Sequence, residues 1–429
     1  MADLHTLAKM LQELDDQMVA CMKCGLCQAV CPVFAETMRE GDVTRGKIAL
    51  LENLAHEMLA DAEGVQAKLN KCLLCGSCAA NCPSGVKIMD IFLRARVIVN
   101  TYMGLSPAKK AILRGMLTRP RLFNGLLDLA SKFQGLFVKP ASEIIGSSCT
   151  RFTTPLGDRH FMPLAKAPLH ATVKPMDTPA GKSGLKVAFY PGCLVDKIFP
   201  NIGHAVLKVL AHHGVGVFLP DGWACCGIPA ISSGEKTAFD TLVKKNLDAF
   251  ANSHFDYMVT ACGTCTATIH EIWPMFSGGY PADLRDRVNT LAAKTMDINA
   301  FLVDILKVEL PEAKGQGRKV TFHDSCHLKK SLGVAAQPRA LVKAAPNTQL
   351  VEMAEADRCC GCGGSFNLYH YDLSKRIGGR KRDNIVASGA EIVATGCPAC
   401  MLQISDMLSQ AGQSISVRHP VELYAEGLR

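Results

Sequence analysis

The chain has 429 residues and a hydrophobic content of 48%, which is enough to bury two or three domain cores. Its formal net charge of +8 is modest for this length, and no basic module with interleaved aromatic residues accompanies it, so we expect no nucleic-acid binding. Its twenty cysteines are too sparse for a small disulfide-stapled scaffold, and their clustering favours a reducing compartment.

The first residues lack the order of basic, apolar and small residues that marks a secretory signal. No stretch reaches the roughly 18 consecutive apolar residues that a membrane-spanning helix needs. We therefore predict no transmembrane segment and a cytoplasmic protein, and we leave open a peripheral position on the inner face of the membrane.

The N-terminal region is predicted to be largely helical. Its first apolar residues recur at steps of three and four, which predicts one amphipathic helix. These residues are Leu4, Leu7, Ala8, Leu11, Leu14 and Met18. A second helix is predicted from a later apolar stretch with Ile48, Leu50, Leu51, Leu54 and Met58.

Two identical four-cysteine runs flank that second helix, and each ends in Cys-Pro. The first run is Cys21, Cys24, Cys27 and Cys31, and the second is Cys72, Cys75, Cys78 and Cys82. This spacing is the bacterial ferredoxin run, in which the fourth cysteine serves the other cluster. We therefore predict one 4Fe-4S cluster on Cys21, Cys24, Cys27 and Cys82, and a second on Cys72, Cys75, Cys78 and Cys31. Zinc sites share the two-residue spacing but explain two identical Cys-Pro runs poorly.

Residues 106–139 contain seven basic residues against one acid, Asp128, interleaved with leucine and phenylalanine. The basic residues are Lys109, Lys110, Arg114, Arg119, Arg121, Lys132 and Lys139. This pattern predicts two basic amphipathic helices with a break near Pro120. They could lie on an anionic membrane, bind an acidic partner or simply cover the core. Recurring prolines without hydrophobic periodicity then predict a linker from Thr153 to Lys186.

The C-terminal half contains an internal repeat of five cysteines, with corresponding positions 133 to 135 residues apart. The first set is Cys193, Cys225, Cys226, Cys262 and Cys265, and the second is Cys326, Cys359, Cys360, Cys397 and Cys400. Short β-rich runs precede the cysteine groups, at 186–190, 215–219, 257–260, 320–323, 349–353 and 392–395. Helical stretches lie between them, including 237–252 and 373–388. Two small parallel α/β domains are predicted, with the cysteines beyond the carboxyl ends of the strands.

Adjacent cysteines favour a multi-iron cluster over zinc in these repeats, because successive side chains diverge and reach different metal atoms more easily than one small ion. Each repeat has five cysteines, which is more than one cubane cluster needs as ligands. The cluster is therefore of an unusual type, or one thiol does not bind it, and the sequence leaves both alternatives open. Simple redox dithiols at Cys262–Cys265 and Cys397–Cys400 leave the adjacent pairs unexplained.

Four other residues near these patterns have weaker interpretations. Cys362 follows the second Cys-Cys-Gly and is either an alternative ligand or a bystander, whereas Cys149 fits no pattern and is expected to be a buried apolar thiol. His323 and His327 flank Cys326, and we expect local hydrogen bonds there more than metal ligation. No Gly-x-Gly-x-x-Gly follows a strand, so no nucleotide-dependent hydride chemistry and no catalytic residue are assigned.

The Cys-Cys-Gly repeats resemble the cysteine-rich domains of the heterodisulfide reductase B-type family, and the N-terminal part resembles the helical ferredoxin of succinate dehydrogenase iron–sulfur subunits. Their joined order is similar to the iron–sulfur subunits of glycolate oxidase, D-lactate dehydrogenase and anaerobic glycerol-3-phosphate dehydrogenase. The segment Thr44-Arg45-Gly46-Lys47-Ile48 resembles the Arg-Gly-Arg/Lys segment of the glycolate and lactate group and favours that branch.

This resemblance implies the electron-transfer subunit of an oxidoreductase complex. A separate flavoprotein subunit with FAD would oxidise glycolate or D-lactate, and this subunit would pass the electrons towards quinone or another membrane redox carrier. The ferredoxin runs would hold two 4Fe-4S clusters, and the ten repeat cysteines one or two further clusters of cubane or non-cubane type. The alternatives are a heterodisulfide reductase-like thiol–disulfide reductase and the iron–sulfur subunit of anaerobic glycerol-3-phosphate dehydrogenase.

The predicted fold is therefore an α+β multi-domain protein in four regions. Residues 1–105 form a helical ferredoxin domain, and 106–185 contain the basic amphipathic helices and the linker. Residues 186–312 and 313–429 form the two duplicated parallel α/β cysteine-rich domains.

Overall fold

The computed structural model describes residues 4–152, 157–310 and 317–428. The chain divides into two compact units, each assembled from several stretches of sequence. Unit 1 comprises Met1–Thr118, Gly227–Thr241 and Gly361–Ile377, and unit 2 comprises Arg119–Cys226, Leu242–Cys360 and Gly378–Arg429. The two short stretches of unit 1 begin directly after the two Cys-Cys pairs. Thr153, Pro155 and the predicted boundary at 312/313 lie outside the described residues.

The N-terminal part of unit 1 is helical, as predicted. Its α-helices are Leu4–Gln12, Asp15–Met18, Leu26–Val30, Pro32–Thr37, Thr44–Ala55, Ala62–Asn70, Ser77–Ala80, Ile88–Met103 and Pro107–Lys110. A 3₁₀ turn at Glu40–Asp42 and a π-helical turn at Ala111–Met116 complete this stretch. The two later stretches of unit 1 contribute the helices Ile228–Ser232 and Ser365–Tyr369 and the first turns of Lys236–Ala249 and Tyr371–Ala387.

The single N-terminal helix predicted from Leu4 to Met18 is two helices in the structure. Asp15 and Asp16 occupy the first turn of the second helix, where acidic side chains interact favourably with the helix dipole. The apolar stripe survives the break, since Leu7, Leu11, Leu14 and Met18 are all buried. Periodicity therefore identified the buried face but not the helix boundary.

The long helix Ile88–Met103 organises unit 1 through the buried guanidinium of Arg96. This group donates hydrogen bonds to the carbonyls of Leu69 at 2.6 Å, Cys72 at 3.0 Å and Ser232 at 2.7 Å. Leu69 lies just before the second ferredoxin run, and Cys72 is the first cysteine of that run. Ser232 follows the first Cys-Cys-Gly. Gly234 completes this contact at φ +73°, where a Cβ atom would lie 2.4 Å from the Arg96 carbonyl oxygen.

Two of the sheets that the structure describes in unit 2 have parallel strands in the same order. The five-stranded sheet runs Met176–Asp177, Gly216–Leu219, Lys186–Tyr190, Tyr257–Thr260 and Thr295–Asp297, with the first strand antiparallel and the others parallel. The four-stranded sheet runs Thr348–Leu350, Arg318–Phe322, Ile392–Ala394 and Ser416–Arg418, all parallel. The parallel strands correspond one to one, which matches the internal repeat of the sequence.

The helices of unit 2 surround these sheets. Those of the first repeat are Gly192–Lys197, Pro200–His212, Gly263–Ala267, Trp273–Phe276, Ala282–Lys294 and Ile298–Ala300. Those of the second repeat are Ala336–Ala344, Pro398–Gln410 and Pro420–Ala425. Further turns are π-helical at Thr268–Ile272, Phe301–Ile305 and His327–Ser331 and 3₁₀ at Ser277–Gly279.

The central strands are almost continuous apolar runs, which is typical of parallel strands covered on both faces. Val187, Phe189 and Val259 are fully buried in the first sheet, and Val320 and Val393 in the second. In both sheets the carboxyl ends of the two central strands lead directly into cysteines, as the sequence predicted.

The predicted linker contains short packed elements where it is described, namely the strands His160–Phe161 and Met176–Asp177 and the helix Leu169–Thr172. The strand His160–Phe161 completes a three-stranded antiparallel sheet with Val138–Ser142 and Ser147–Thr150, which precede the predicted linker. Leu169 is fully buried in the core of unit 2. The prolines in this region interrupt the hydrophobic periodicity, so the sequence did not predict these elements. Cys149 lies on the middle strand and is only partly buried, so its prediction as a buried thiol is wrong.

The predicted basic helical pair is present and breaks before Pro120, where the helix Pro120–Phe137 begins. An apolar stripe along this helix is exposed to solvent: Leu122, Leu126, Leu129, Phe133, Leu136 and Phe137. No helix among the described residues is both long enough and apolar enough to cross a bilayer.

The last helix, Pro420–Ala425, is capped by a buried histidine that should make stability depend on pH. His419 Nδ1 accepts a hydrogen bond from Val421 N at 3.2 Å, and burial lowers the pKa of His419 to about 3. The folded state therefore excludes a proton that the unfolded chain binds below its ordinary pKa near 6.5. Each pH unit below that value should remove about 1.4 kcal/mol of unfolding free energy.

We expect His419→Asn, which retains a capping side chain, to weaken this loss. Between pH 6.5 and 5 the parent should lose about 2 kcal/mol more than the variant in anaerobic urea denaturation. His254→Asn changes an exposed histidine and should behave as the parent. Equal losses in His419→Asn and the parent would contradict this account.

Candidate iron–sulfur sites

The two ferredoxin runs fold into the same backbone shape. In the first run Lys23 and Gly25 have positive φ angles of 54° and 89°, and in the second Leu74 and Gly76 have 52° and 68°. Left-handed backbone is uncommon for Lys and Leu, so its recurrence at equivalent positions indicates that both loops curl around a central space. A short helix follows each loop, at Leu26–Val30 and Ser77–Ala80.

The first run shares its site with the fourth cysteine of the second run. One cavity is lined by Cys21, Cys24, Cys27, Cys78 and Cys82, together with the segment around Arg45. The guanidinium of Arg45 donates to the carbonyl of Lys23 at 3.3 Å and pairs with Glu40. The Arg-Gly-Lys segment therefore supports the wall of this first thiol site.

The second thiol site brings Cys31 of the first run to Cys72, Cys75 and Cys78. Burial, with added repulsion from Cys72 and Cys75, raises the pKa of Cys31 to about 11. Burial raises the pKa of Cys78 further. Thiols in such an environment resist ionisation unless a cation or metal is present.

A buried lysine supplies positive charge next to this second site. Lys47 is 1% exposed, and its ammonium donates to the carbonyl of Asp42 and interacts with the thiols of Cys31 and Cys72. Burial lowers the pKa of Lys47, and the neighbouring thiols oppose that shift. In the sequence Lys47 is recognisable only as part of a family segment, and no pattern there indicates its position beside the cysteines.

The first cysteine set of unit 2 forms a connected group of thiols. Cys225 lies within hydrogen-bonding distance of Cys193 and Cys226, and Cys265 within that distance of Cys226 and Cys262. These contacts and burial raise the pKa of both Cys225 and Cys265 well above the usual range. The five cysteines of the first repeat therefore converge on one buried place.

Buried side chains fix the loop that carries the adjacent pair of this first set. The Tyr190 hydroxyl donates to the carbonyl of Ala224 at 2.6 Å, and the Trp273 indole donates to that of Cys226 at 2.8 Å. Asn246 accepts from the amide of Ala224 and donates to the carbonyl of Cys225. These bonds use backbone groups of the loop and do not involve the thiol groups.

The second cysteine set has a similar group of thiols. Cys360 lies within hydrogen-bonding distance of Cys359 and Cys400, and Cys400 within that distance of Cys397. Hydrogen bonds from Cys359 and Cys400, followed by the interaction with the neighbouring imidazole of His323, hold the pKa of Cys360 well below its usual range. Cys326 is also buried in this repeat.

A second buried lysine accompanies this group. Lys381 is 1% exposed, and its ammonium donates to the carbonyls of Glu355 at 2.5 Å and Ala356 at 3.1 Å. Burial lowers the pKa of Lys381, and the thiols of Cys360 and Cys326 oppose that shift. The amino group of Lys381 therefore lies beside the second set, and no pattern in the sequence indicated this position.

The two cysteine sets meet within unit 2. Cys262 of the first set and Cys397 of the second lie within hydrogen-bonding distance of each other. Thr264 Oγ1 lies 3.3 Å from Cys397 Sγ, and the amide of Gly263 donates to the carbonyl of Gly396 at 3.0 Å. The thiols consequently form one continuous chain of contacts through both repeats, which spacing alone did not predict.

Two residues with open interpretations are also located. His327 Nδ1 lies 3.1 Å from Thr264 Oγ1, which is the local hydrogen bond expected of it. Cys362 is partly buried in the stretch of unit 1 that follows the second Cys-Cys-Gly, whereas the ten repeat cysteines belong to unit 2.

The residues present fit iron–sulfur clusters better than disulfides or isolated thiols. None of the twenty cysteines, all of which lie in the described residues, forms a disulfide, and nine of the ten repeat cysteines are buried. Burial makes the thiolate form of these cysteines costly, and a bound metal would compensate its negative charge. Cluster ligation would therefore relieve the desolvation that these arrangements create.

Comparison with known proteins identifies both parts of the chain. The 4Fe-4S dicluster domain family matches residues 17–86, and the Cysteine-rich domain family matches residues 187–270 and 320–405. These matches confirm the resemblance to ferredoxin-like and Cys-Cys-Gly proteins that the cysteine spacing indicated.

Three relatives extend the likeness over the chain. The probable glycolate oxidase iron-sulfur subunit of Bacillus subtilis is 28% identical over 426 residues, covering 96% of this chain and 94% of the relative. One of the subunits of the fumarate reductase (CoM/CoB) of Methanothermobacter marburgensis is 27% identical, covering 91% and 68%. Lactate utilization protein A of an Exiguobacterium species is 33% identical, covering 57% and 98%. The chain belongs to the family of iron–sulfur proteins with Cys-Cys-Gly cysteine-rich domains that includes lactate utilization protein A.

Proposed function

We propose that this chain is the iron–sulfur electron-transfer subunit of a flavin-dependent 2-hydroxy-acid dehydrogenase that acts on glycolate or D-lactate. The observation that carries the proposal is the pairing of a dicluster ferredoxin region with two Cys-Cys-Gly thiol groups. The likeness to a glycolate oxidase iron–sulfur subunit over nearly the whole chain supports the same function. A separate flavoprotein with FAD, and quinone or another redox carrier, are the proposed partners.

The ligand assignment follows from which thiols lie together. Cys21, Cys24, Cys27 and Cys82 would bind one 4Fe-4S cluster, and Cys31, Cys72, Cys75 and Cys78 a second. The ten repeat cysteines would bind one or two further clusters. Bound iron–sulfur groups supply one-electron carriers whose potentials depend on nearby charge, hydrogen bonds and solvent exposure.

The remaining residues of the sites would tune and protect these groups. Lys47 and Lys381 place buried positive charge beside thiolates, which favours the more negatively charged, reduced state. Burial of the repeat cysteines excludes water, and the hydrogen bonds of Tyr190, Trp273 and Asn246 hold the first adjacent pair in place.

The test is to purify the complete complex without oxygen and to measure dye reduction with glycolate and with D-lactate. A flavoprotein should co-purify, and glycolate or D-lactate should reduce the clusters before the dye is reduced. Purification without any flavoprotein, or clusters that neither acid reduces, would overturn the proposal. Glycerol 3-phosphate serves as the third substrate, since its oxidation would indicate the glycerol-3-phosphate branch.

A second candidate function is thiol–disulfide reduction at the Cys-Cys-Gly groups. It is favoured by the unbroken thiol contacts from Cys193 to Cys359 and by the likeness to a CoM/CoB fumarate reductase. Disulfide turnover by the reduced chain with a low-potential donor would support it. Absence of turnover under conditions in which the clusters are reduced would count against it.

We also propose that the helix Pro120–Phe137 lies on the surface of an anionic membrane. Its exposed leucine and phenylalanine side chains form one stripe, and Arg121 and Lys132 on the same helix are exposed. Amphipathic helices of this composition insert their apolar face at the headgroup boundary while basic residues contact anionic lipid.

Phe133→Ser should therefore weaken binding to vesicles that contain anionic lipid by at least about tenfold, because one buried aromatic contact contributes roughly 1.5–3 kcal/mol. Phe133 is 53% exposed, and Phe152, at 64%, provides an exposed control outside the helix. Phe152→Ser should bind as the parent does in vesicle sedimentation. If the parent does not sediment with anionic vesicles but Phe133→Ser loses the flavoprotein, the helix belongs to the partner interface instead.

A further inference from the structure

The two cysteine-rich repeats differ at one buried position that faces the thiols. Three residues before the first cysteine of each set, the first repeat has Tyr190 and the second has His323. Both side chains are fully buried. The hydroxyl of Tyr190 donates to the carbonyl of Ala224, so its proton is already used in a hydrogen bond away from the thiols.

His323 is held so that one ring nitrogen is available. Its Nδ1 atom lies 3.2 Å from the carbonyl oxygen of Ala356. A carbonyl can only accept, so Nδ1 carries the proton in this bond and Nε2 presents its lone pair. Metal-binding histidines usually donate their second ring N–H to a carbonyl or carboxylate in the same way.

The imidazole of His323 lies beside the second thiol group. A ring nitrogen of His323 and the Sγ atoms of Cys360 and Cys400 all lie within 4.8 Å of one another. Nε2 is buried and has no hydrogen-bonding nitrogen or oxygen among the residues that the structure describes. A buried imidazole nitrogen without such a partner is costly, and a metal atom between it and the two sulfurs would satisfy it.

The backbone around His323 is fixed by bonds that do not involve the thiols. The amide of His323 donates to the carbonyl of Ala394 at 2.9 Å, and the amide of Asp324 donates to that of Ala356 at 3.0 Å. The carboxylate of Asp324 pairs with Arg339 at 2.6 Å. The imidazole is therefore pre-oriented by strand pairing and by a buried ion pair, as a ligand position requires.

We propose that His323 Nε2 is a ligand of the metal group bound by the second repeat. The second site is then a mixed cysteine–histidine site, whereas cysteines alone bind the metal group of the first repeat. This inference rests on the proposed function for the presence of the metal group. It reverses the expectation from sequence that His323 makes only local bonds. A neutral nitrogen ligand in place of a thiolate raises the reduction potential of an iron–sulfur centre, so the second site would be the more oxidising of the two.

The test is pulsed electron paramagnetic resonance of the complete complex, anaerobically purified with unlabelled or ¹⁵N-labelled histidine and measured oxidised and reduced. The parent should show the hyperfine coupling of a coordinated nitrogen that changes with the label. His323→Tyr, which copies the first repeat, should lose that coupling and shift the potential of one centre downward. His323→Asn should also lose the nitrogen coupling. Because its amide can still donate to the Ala356 carbonyl, this variant keeps the test valid if His323→Tyr misfolds.

His327→Asn is the matched control. The imidazole of His327 is hydrogen-bonded to Thr264, so this variant should retain the nitrogen coupling.

Iron and zinc contents are measured on the same samples and on Cys400→Ala. If Cys400→Ala loses metal but the parent lacks a coordinated nitrogen in both oxidation states, the ligand proposal alone is overturned. If the coupling persists in both His323 variants, it is also overturned. If Cys400→Ala loses no metal, the second repeat binds none and the proposed cluster content fails with it.

Discussion

Cys78→Ala should remove one cluster from the ferredoxin region and lower acid-dependent dye reduction by at least about 100-fold, since even changes beyond the direct ligands of a metal cost about 10- to 100-fold. Cys78 is the thiol most strongly shifted by burial in this region, and it lies with Cys31, Cys72 and Cys75. The flavoprotein alone should still oxidise the acid with an artificial acceptor.

Cys149→Ser is the matched control for this substitution. Cys149 is partly buried on a strand of the antiparallel sheet and belongs to neither cysteine pattern. Its variant should keep the iron content and the dye reduction of the parent. The account would be contradicted if Cys78→Ala retained full iron content and full electron transfer.

Arg96→Leu should destabilise unit 1 by about 3 to 5 kcal/mol, because three buried carbonyls lose their donor at once. The guanidinium of Arg96 connects the approach to the second ferredoxin run with Ser232, which follows the first Cys-Cys-Gly. The same variant should lose iron faster than the parent on exposure to chelator, since Cys72 supplies one of the three carbonyls. Anaerobic urea denaturation and chelation rates measure the two effects.

Arg94→Leu on the same helix provides the comparison. Arg94 pairs with Asp90 one turn earlier and is 37% exposed in its side chain, so its loss should cost about 0.5 kcal/mol or less. Similar stability losses in Arg94→Leu and Arg96→Leu would show that the buried hydrogen bonds of Arg96 do not hold unit 1 together.

Local features of the sequence predicted the parts of the fold that depend on local patterns. The strands Lys186–Tyr190 and Tyr257–Thr260 have the predicted bounds, because uninterrupted apolar runs are typical of buried parallel strands. The thiol spacing likewise predicted the families that match the chain. Repetition made both predictions stronger, since the same order of elements occurs twice.

Features that depend on packing between distant segments could not be predicted in this way. The contact between Cys262 and Cys397 arises from the way the two repeats pack, and no spacing rule contains it. Lys47, Arg96 and Lys381 are charged residues that usually lie at the surface, and only the fold shows that they are buried beside thiols or carbonyls. The antiparallel sheet was missed because prolines and short strands carry no hydrophobic period.

The most direct test of the central claim is the iron and acid-labile sulfide content of anaerobically purified protein, with low-temperature electron paramagnetic resonance of the same sample. The account predicts more iron than two 4Fe-4S clusters contain, matched by sulfide, with signals from ferredoxin-type centres and from at least one further centre. A colourless protein that binds only zinc would contradict it.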